Sequence, residues 1–255
     1  MEYVDPAEGR PRLPQEYVDR GQLKESGFYI EKNLIGPATL ASLKGLAKED
    51  AVAEEGRGGV RNLLDVAAFR ELAESAPLLR LVRGILGDEA FIVRGILFDK
   101  TSNSNWKVPW HQDVTIAVTN RIDADGFGPW SIKAGVLHVQ PPANVLEKMI
   151  SVRIHLDDCP AENGALRVLP VTHRQGKLGQ AGIEAEVSRG VPVTCEAKAG
   201  DALVMRPLLV HASSPSSAPN HRRVLHFDYA NVELPNGLEW RERQVFSFRE
   251  LVERG

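Results

Sequence analysis

Only two cysteines, Cys159 and Cys195, occur in the chain, and they lie far apart without the close pairing of a zinc site or a secreted disulfide framework. Both read as reduced thiols, so the expected setting is cytoplasmic. No stretch approaches the roughly 18 consecutive apolar residues of a membrane span. The opening Met1-Glu2-Tyr3-Val4-Asp5-Pro6 is acidic and lacks the apolar core of a signal sequence, and no membrane partner is expected. A basic excess is missing too: the net charge is −3 and Lys and Arg are scattered rather than gathered into a stripe, which argues against nucleic acid. Internal repeats and low-complexity tracts are also absent. What is there is a chain of 255 residues, 43% hydrophobic and 25% charged, within the range of one all-β barrel or a small α/β protein. A domain of this size buries roughly 70–75% of its unfolded surface and needs no metal or disulfide merely to fold.

The texture of the chain changes near Gly87. Residues 1–14 are polar and proline-containing and read as an arm. From 15 to 87 the pattern is mainly helical: Leu40, Leu43 and Leu46 recur at helical spacing, as do Phe69, Leu72, Leu79 and Val82. A short strand is expected at Gly27-Phe28-Tyr29-Ile30, and a glycine-rich break at Glu54 to Gly59. Residues 88–232 carry short β-branched and aromatic runs, giving strands near 90–99, 109–118, 131–139, 149–157, 164–169, 192–197, 202–206 and 222–231. The expected fold is mainly β with flanking helices (α+β), a jelly roll or related double-sheet barrel with the N-terminal helices on one outer face and a C-terminal extension at 233–255. Two long loops, Asn120 to Trp130 and Gln140 to Lys148, leave the strand region after the first candidate ligands and are expected to form a substrate lid.

The candidate chemistry begins at Trp110-His111-Gln112-Asp113. On a strand, His111 and Asp113 point to the same face, so an imidazole and a carboxylate can meet one ion. His211, following the apolar run Ala202 to Met205, completes two histidines and one carboxylate, a set that leaves coordination positions open and suits non-haem Fe(II) oxygenases. The segment Ser213 to Asn220, rich in serine and proline, turns the chain back and places Arg222 beside His211. The guanidinium fork pairs with a carboxylate, and Ser213 adds a hydroxyl, so the far end of a dicarboxylate such as 2-oxoglutarate could rest there. Alternation puts Arg222, Val224 and His226 on one face and Arg223 on the other. A one-residue slip would make Arg223 the anchor.

These segments, with Asn163-Gly164-Ala165-Leu166-Arg167-Val168-Leu169-Pro170, Thr172-His173 and Gly200-Asp201, make the chain resemble the phytanoyl-CoA dioxygenase family of Fe(II)- and 2-oxoglutarate-dependent oxygenases over roughly residues 20–232. The resemblance implies a double-stranded β-helix (jelly roll, cupin-like), with His111, Asp113 and His211 as iron ligands and Arg222 with Ser213 on the distal carboxylate of 2-oxoglutarate. It further implies that Gln112 and Trp130 line the cosubstrate pocket. Halogenating relatives replace the carboxylate by a small residue; Asp113 is present, which favours hydroxylation. The Pro-Gly-Ser-His of relatives stands here as Pro170-Val171-Thr172-His173, a change expected to affect a turn.

Further candidates are less defined. His138 and Gln140, at the end of one strand, are candidate substrate or cosubstrate contacts, and Lys100 could meet an acidic substrate near the ligand strand. His155 and His226 read as barrel histidines needing partners. The expected activity is hydroxylation of an unactivated C–H bond of a small organic substrate with O2, releasing succinate and CO2, by a monomer or homodimer. The alternatives are a cupin-like metal-dependent isomerase or hydrolase without 2-oxoglutarate, and a catalytically silent binding protein.

Overall fold

The computed structural model describes residues 15–47, 59–101, 105–217 and 221–243, with side chains from Gly21 onward; the expected arm at 1–14 and most of the break at 54–59 lie outside the described residues. In chain order come α1 (Gln15–Ser26), β1 (Phe28–Glu31), α2 (Pro37–Leu46), α3 (Ala67–Ala73), α4 (Ala76–Leu86), β2 (Phe91–Lys100), β3 (Val108–His111), β4 (Ile116–Ala117), β5 (Trp130–Lys133), β6 (Val136–Val139) and α5 (Ala143–Leu146). They are followed by β7 (Met149–His155), β8 (Leu166–Val168), α6 (Gln180–Arg189), β9 (Val193–Cys195), β10 (Ala202–Met205), β11 (His211–Ser213) and β12 (Arg222–Ala230).

A five-stranded sheet of order β1-β10-β7-β12-β2 faces a four-stranded sheet of order β3-β11-β8-β9, and β4, β6 and β5 form a third, smaller sheet. All pairings are antiparallel, and in the two larger sheets most neighbours are strands distant in sequence, which is the double-stranded β-helix. Alternation along β7 and β12 explains how the larger sheet packs. Ile150, Val152 and Ile154 of β7 and Leu225, Phe227 and Tyr229 of β12 face outward into a core shared with Leu43, Phe69, Leu72, Leu78 and Val82 of the helices. The opposite face of the same strands carries Ser151, Arg153, His155, Arg222, His226 and Asp228, all buried. Helices seal one face of the sheet, and polar groups line the other.

Four local expectations are corrected. The strand expected at 109–118 stops at His111; the chain runs irregularly through Gln112 to Thr115 and re-enters a different sheet at β4. The strand expected at 131–139 is a hairpin, with Ala134 (φ 47°) and Gly135 (φ 73°) making the two-residue turn that suits twisted strands. Leu78, not Leu79, is fully buried with Val82, because α4 restarts at Ala76-Pro77 and resets the helical phase. Finally, no residue of the two long loops is on the wall of the cavity between the sheets. Ile122, Ala124, Phe127, Val145 and Leu146 pack into a second apolar cluster with Trp240, and Gly128 N–H donates to Gln140 O at 2.9 Å, tying the loops to each other.

Candidate active site

β3 and β11 are neighbours in the smaller sheet, and His111 and His211 are directly paired across them, with ring centroids 4.2 Å apart. Asp113 joins them from the irregular segment after β3, held by its N–H donating to Pro207 O at 2.9 Å. Its carboxylate oxygens lie 3.9 Å from His111 Nε2 and 3.7 Å from His211 Nε2, and one ligand atom from each residue falls within 4.8 Å of the others.

The hydrogen bonds decide which nitrogens are free. His111 Nδ1 is 2.9 Å from Pro109 O, and His211 Nδ1 is 2.9 Å from Leu209 O. A carbonyl only accepts, so each Nδ1 carries the proton and each Nε2 presents its lone pair to Asp113. Backbone-oriented imidazoles with bare Nε2 and a carboxylate form a donor set that fits a divalent iron. Burial, then the neighbouring His111, lowers His211 to about 3, keeping it neutral. Burial alone would raise Asp113, but His211, His226, Arg94 and His111 around it hold the carboxyl well below its usual range.

A cavity of about 320 Å³ opens at this cluster, walled by His111, Asp113 and His211 together with Ser213 and Arg222. Arg222 is 4% exposed, and its Nη1 donates to Gly164 O and, at 3.2 Å, to Ser213 Oγ. Ser213 Oγ in turn donates to Gly164 O at 2.9 Å and accepts from Lys100 Nζ at 2.8 Å. Gly164 sits at φ 69°, and a Cβ there would lie 2.6 Å from Ser214 O, which explains the glycine at this point of the Asn163-Gly164 turn. Arg222 Nε is buried with no hydrogen-bond partner among the described residues. An unmet donor on a buried cation fits the carboxylate end of 2-oxoglutarate. Arg223 points the other way, its Nε and Nη2 each 2.8 Å from Asp157, so the inward anchor is Arg222.

Other sequence candidates occupy different places. Lys100 is fully buried behind Ser213, also donating to Ser214 O at 2.6 Å, rather than exposed at an approach; burial and then Arg222 pull its ammonium down to about 7. Gln112 reaches the cavity wall, yet its amide is fully used: Nε2 donates to Gly176 O at 2.9 Å and Leu208 O at 2.7 Å, while Oε1 accepts from Leu178 N–H. Trp130, in the small sheet under the Arg121 guanidinium, and Gln140 are not part of the cavity wall. His138 is buried, with Nδ1 3.0 Å from Val136 O, and lines a small adjoining pocket beside Arg61 and Arg94; burial lowers it to about 4.

Four cations on the cavity wall were not anticipated: Arg61, Arg94, Lys133 and Arg153. Arg153 Nη1 donates to His226 Nδ1 at 2.7 Å, so His226 carries its proton on Nε2 and donates it to Asp228 Oδ1 at 2.9 Å. Asp228 also accepts from Arg94 Nε at 2.5 Å and Ser151 Oγ at 2.6 Å. His226 is thus a satisfied barrel histidine, whereas neither ring nitrogen of buried His155 has a partner among the described residues. The alternation Ser151, Arg153, His155 between Ile150, Val152 and Ile154 is the signal that could have placed Arg153 inside.

The sequence profile described as Phytanoyl-CoA dioxygenase (PhyH) matches residues 32–224 of this chain. The chain belongs to the phytanoyl-CoA dioxygenase family. Members of this family are Fe(II)- and 2-oxoglutarate-dependent oxygenases, which makes the chain an enzyme of that type, with Fe(II) and 2-oxoglutarate as its cofactors. L-proline trans-4-hydroxylase of Streptomyces griseoviridis is 24% identical over 223 residues, 74% of this chain and 75% of that protein. A shorter match, 33% identical over 109 residues, is to nicotinate phosphoribosyltransferase of Bos taurus; it covers 38% of this family member and 20% of that protein. Among solved structures, the epimerase SnoN in complex with Fe3+, alpha ketoglutarate and nogalamycin RO superposes with a TM-score of 0.67 at 16% identity, covering 91% of this chain and 92% of its own. At that identity the likeness speaks for the shared fold. No helix among the described residues of this dioxygenase-family chain is long and apolar enough to cross a membrane.

Proposed function

We propose that the protein hydroxylates an unactivated C–H bond of a small organic substrate, with His111, Asp113 and His211 holding the iron and Arg222 with Ser213 holding the distal carboxylate of 2-oxoglutarate. The cross-strand pair His111 and His211 converging with Asp113 carries this reading. Iron and 2-oxoglutarate supply the oxidising chemistry: one atom of O2 goes to the product and the other to succinate as CO2 leaves. The chain's own residues orient and enclose. Pro109 O and Leu209 O fix the two imidazoles, and Gly164 O and Lys100 fix Ser213 and Arg222. Ile96, Phe98, Val108, Val114 and Leu166 give the cavity apolar walls that exclude water from the reacting centre. Asp113 supports hydroxylation over halogenation, since its carboxylate fills the place a halide would need. The related L-proline trans-4-hydroxylase is by name a hydroxylase of a small molecule, which supports the same class here.

Aerobic incubation with Fe(II), 2-oxoglutarate and a metabolite library tests the proposal. The expected result is O2-dependent succinate formation stimulated by a compound that gains one oxygen atom, with Asp113→Ala reducing turnover at least about a thousandfold. Succinate formed alongside an epimerised or ring-closed product would reject hydroxylation. Conversion that needs no O2 would favour a metal-dependent isomerase or hydrolase instead.

A further inference from the structure

The inner face of the five-stranded sheet carries cations at both ends, with Arg153 between them opposite His226. β12 pairs with β2 so that Arg222 lies opposite Lys100 and Asp228 opposite Arg94. Arg94 and Lys100 are therefore about 20 Å apart along an extended strand. At one end stand Arg222 and Lys100, where the proposed 2-oxoglutarate carboxylate sits. At the other, Arg94 is neutralised by Asp228, but two more cations join it.

Arg61 and Lys133 reach this second end from separate parts of the chain. The segment before Arg61 is pinned to β2 by reciprocal Val60 and Leu97 hydrogen bonds of 2.8 and 2.9 Å. Asn62 Nδ2 then donates to Ala134 O at 3.1 Å, docking this segment on the β5–β6 turn beside Lys133. Lys133 Nζ donates to the neutral Thr115 hydroxyl at 2.9 Å, and Arg61 has no hydrogen-bond or ion-pair partner among the described residues. Both side chains wall the cavity, whose one carboxylate among the described residues is the candidate ligand Asp113. Burial and then repulsion, from Arg94 for Arg61 and from Arg94 and Arg61 for Lys133, lower both groups against the smaller opposing pull of Asp113. The one carboxylate acting on both, Asp113, is also the candidate iron ligand, and two half-buried cations that must share it with the metal are costly unless a further anion joins them.

We propose that Arg61 and Lys133 bind the carboxylate of the primary substrate, which is a small organic acid. The guanidinium fork and the ammonium match one carboxylate, and they share one cavity with the candidate iron ligands and with Arg222. The 320 Å³ cavity is at the lower end of ligand sites, roughly 300–1,000 Å³, yet must hold cosubstrate and substrate together. This assignment rests on the iron and 2-oxoglutarate reading, and its test keeps the two apart.

Protein loaded anaerobically with Fe(II) and 2-oxoglutarate is titrated with pentanoate, cyclopentanecarboxylate, L-proline and benzoate, each beside its primary amide, and with phenyl phosphate. The readouts are the thermal midpoint and the perturbation of the visible iron–2-oxoglutarate band. At least one acid is expected to raise the midpoint and perturb the band, binding at least about tenfold tighter than its amide. Arg61→Met and Lys133→Met should each erase that preference, and Arg61→Lys should restore part of it, while the affinity for 2-oxoglutarate stays as in the wild type. No preference for acid over amide anywhere in the panel, or preference for phenyl phosphate over benzoate, overturns the proposal. Weakened 2-oxoglutarate binding in Arg61→Met also overturns it, by assigning Arg61 to the cosubstrate. Absence of the band in the wild type rejects the cofactor reading itself.

Discussion

Single side chains fix the protonation pattern around the cavity. Pro109 O and Leu209 O determine the tautomers of His111 and His211, and Arg153 determines that of His226, because each partner can only accept or only donate. His155 differs: it is 3% exposed, its ring nitrogens have no partner among the described residues, and burial lowers it from the ordinary 6.5 to about 3. Below 6.5 the unfolded chain takes up a proton that the folded chain refuses, so stability is full above that pH and lost as pH falls towards 3. The slope reaches about 1.4 kcal/mol per pH unit for this one group. His155→Leu is expected to show a shallower loss of urea resistance between pH 6.5 and 4, and an unchanged slope would contradict the assignment. At this scale the sequence was informative about which residues meet where a residue type is tied to a motif, as for His111, Asp113, His211, Ser213 and Arg222. Arg61, Lys133 and Arg153 are ordinary cations in sequence, and only folding gives them a shared wall.

Strands explain which of these residues meet. Alternation along β12 correctly put Arg222 inward and Arg223 outward, since the same period buries Leu225, Phe227 and Tyr229 against the helices. It also sends Arg222, His226 and Asp228 to the cavity face, where β7 supplies Arg153 and Ser151. Asp113 was placed on a strand and is not; its position depends on the Pro207 carbonyl, a long-range contact with no local signature. The same limit applies to the loops, whose Ile122 and Phe127 pack against Trp240 from the far end of the chain. Asp228 joins three strands through Arg94, Ser151 and His226, with Arg94 left unpaired if it is removed. Asp228→Ala should cost about 3–5 kcal/mol in urea unfolding, the usual penalty for orphaning a buried charge. A loss under about 1 kcal/mol would mean that the network does not order the sheet.

As a whole, the molecule divides its work between two faces of one sheet: helices and apolar strand residues form the core on one side, and a polar cavity faces the smaller sheet on the other. The class of fold was legible from the helical first third and the run of short strands that follows, because periodicity survives any tertiary arrangement. The cavity's excess of cations was not, because the net charge of −3 hides it. The central claim is that His111, Asp113 and His211 hold iron on which 2-oxoglutarate, anchored by Arg222, can chelate. Anaerobic titration of the protein with Fe(II) and 2-oxoglutarate tests it most directly through the weak visible charge-transfer band of the chelate. The account predicts a saturable band in the wild type, its loss in Asp113→Ala, and at least about tenfold weaker 2-oxoglutarate dependence in Arg222→Ala. No band in the wild type, or a band indifferent to both substitutions, would contradict it.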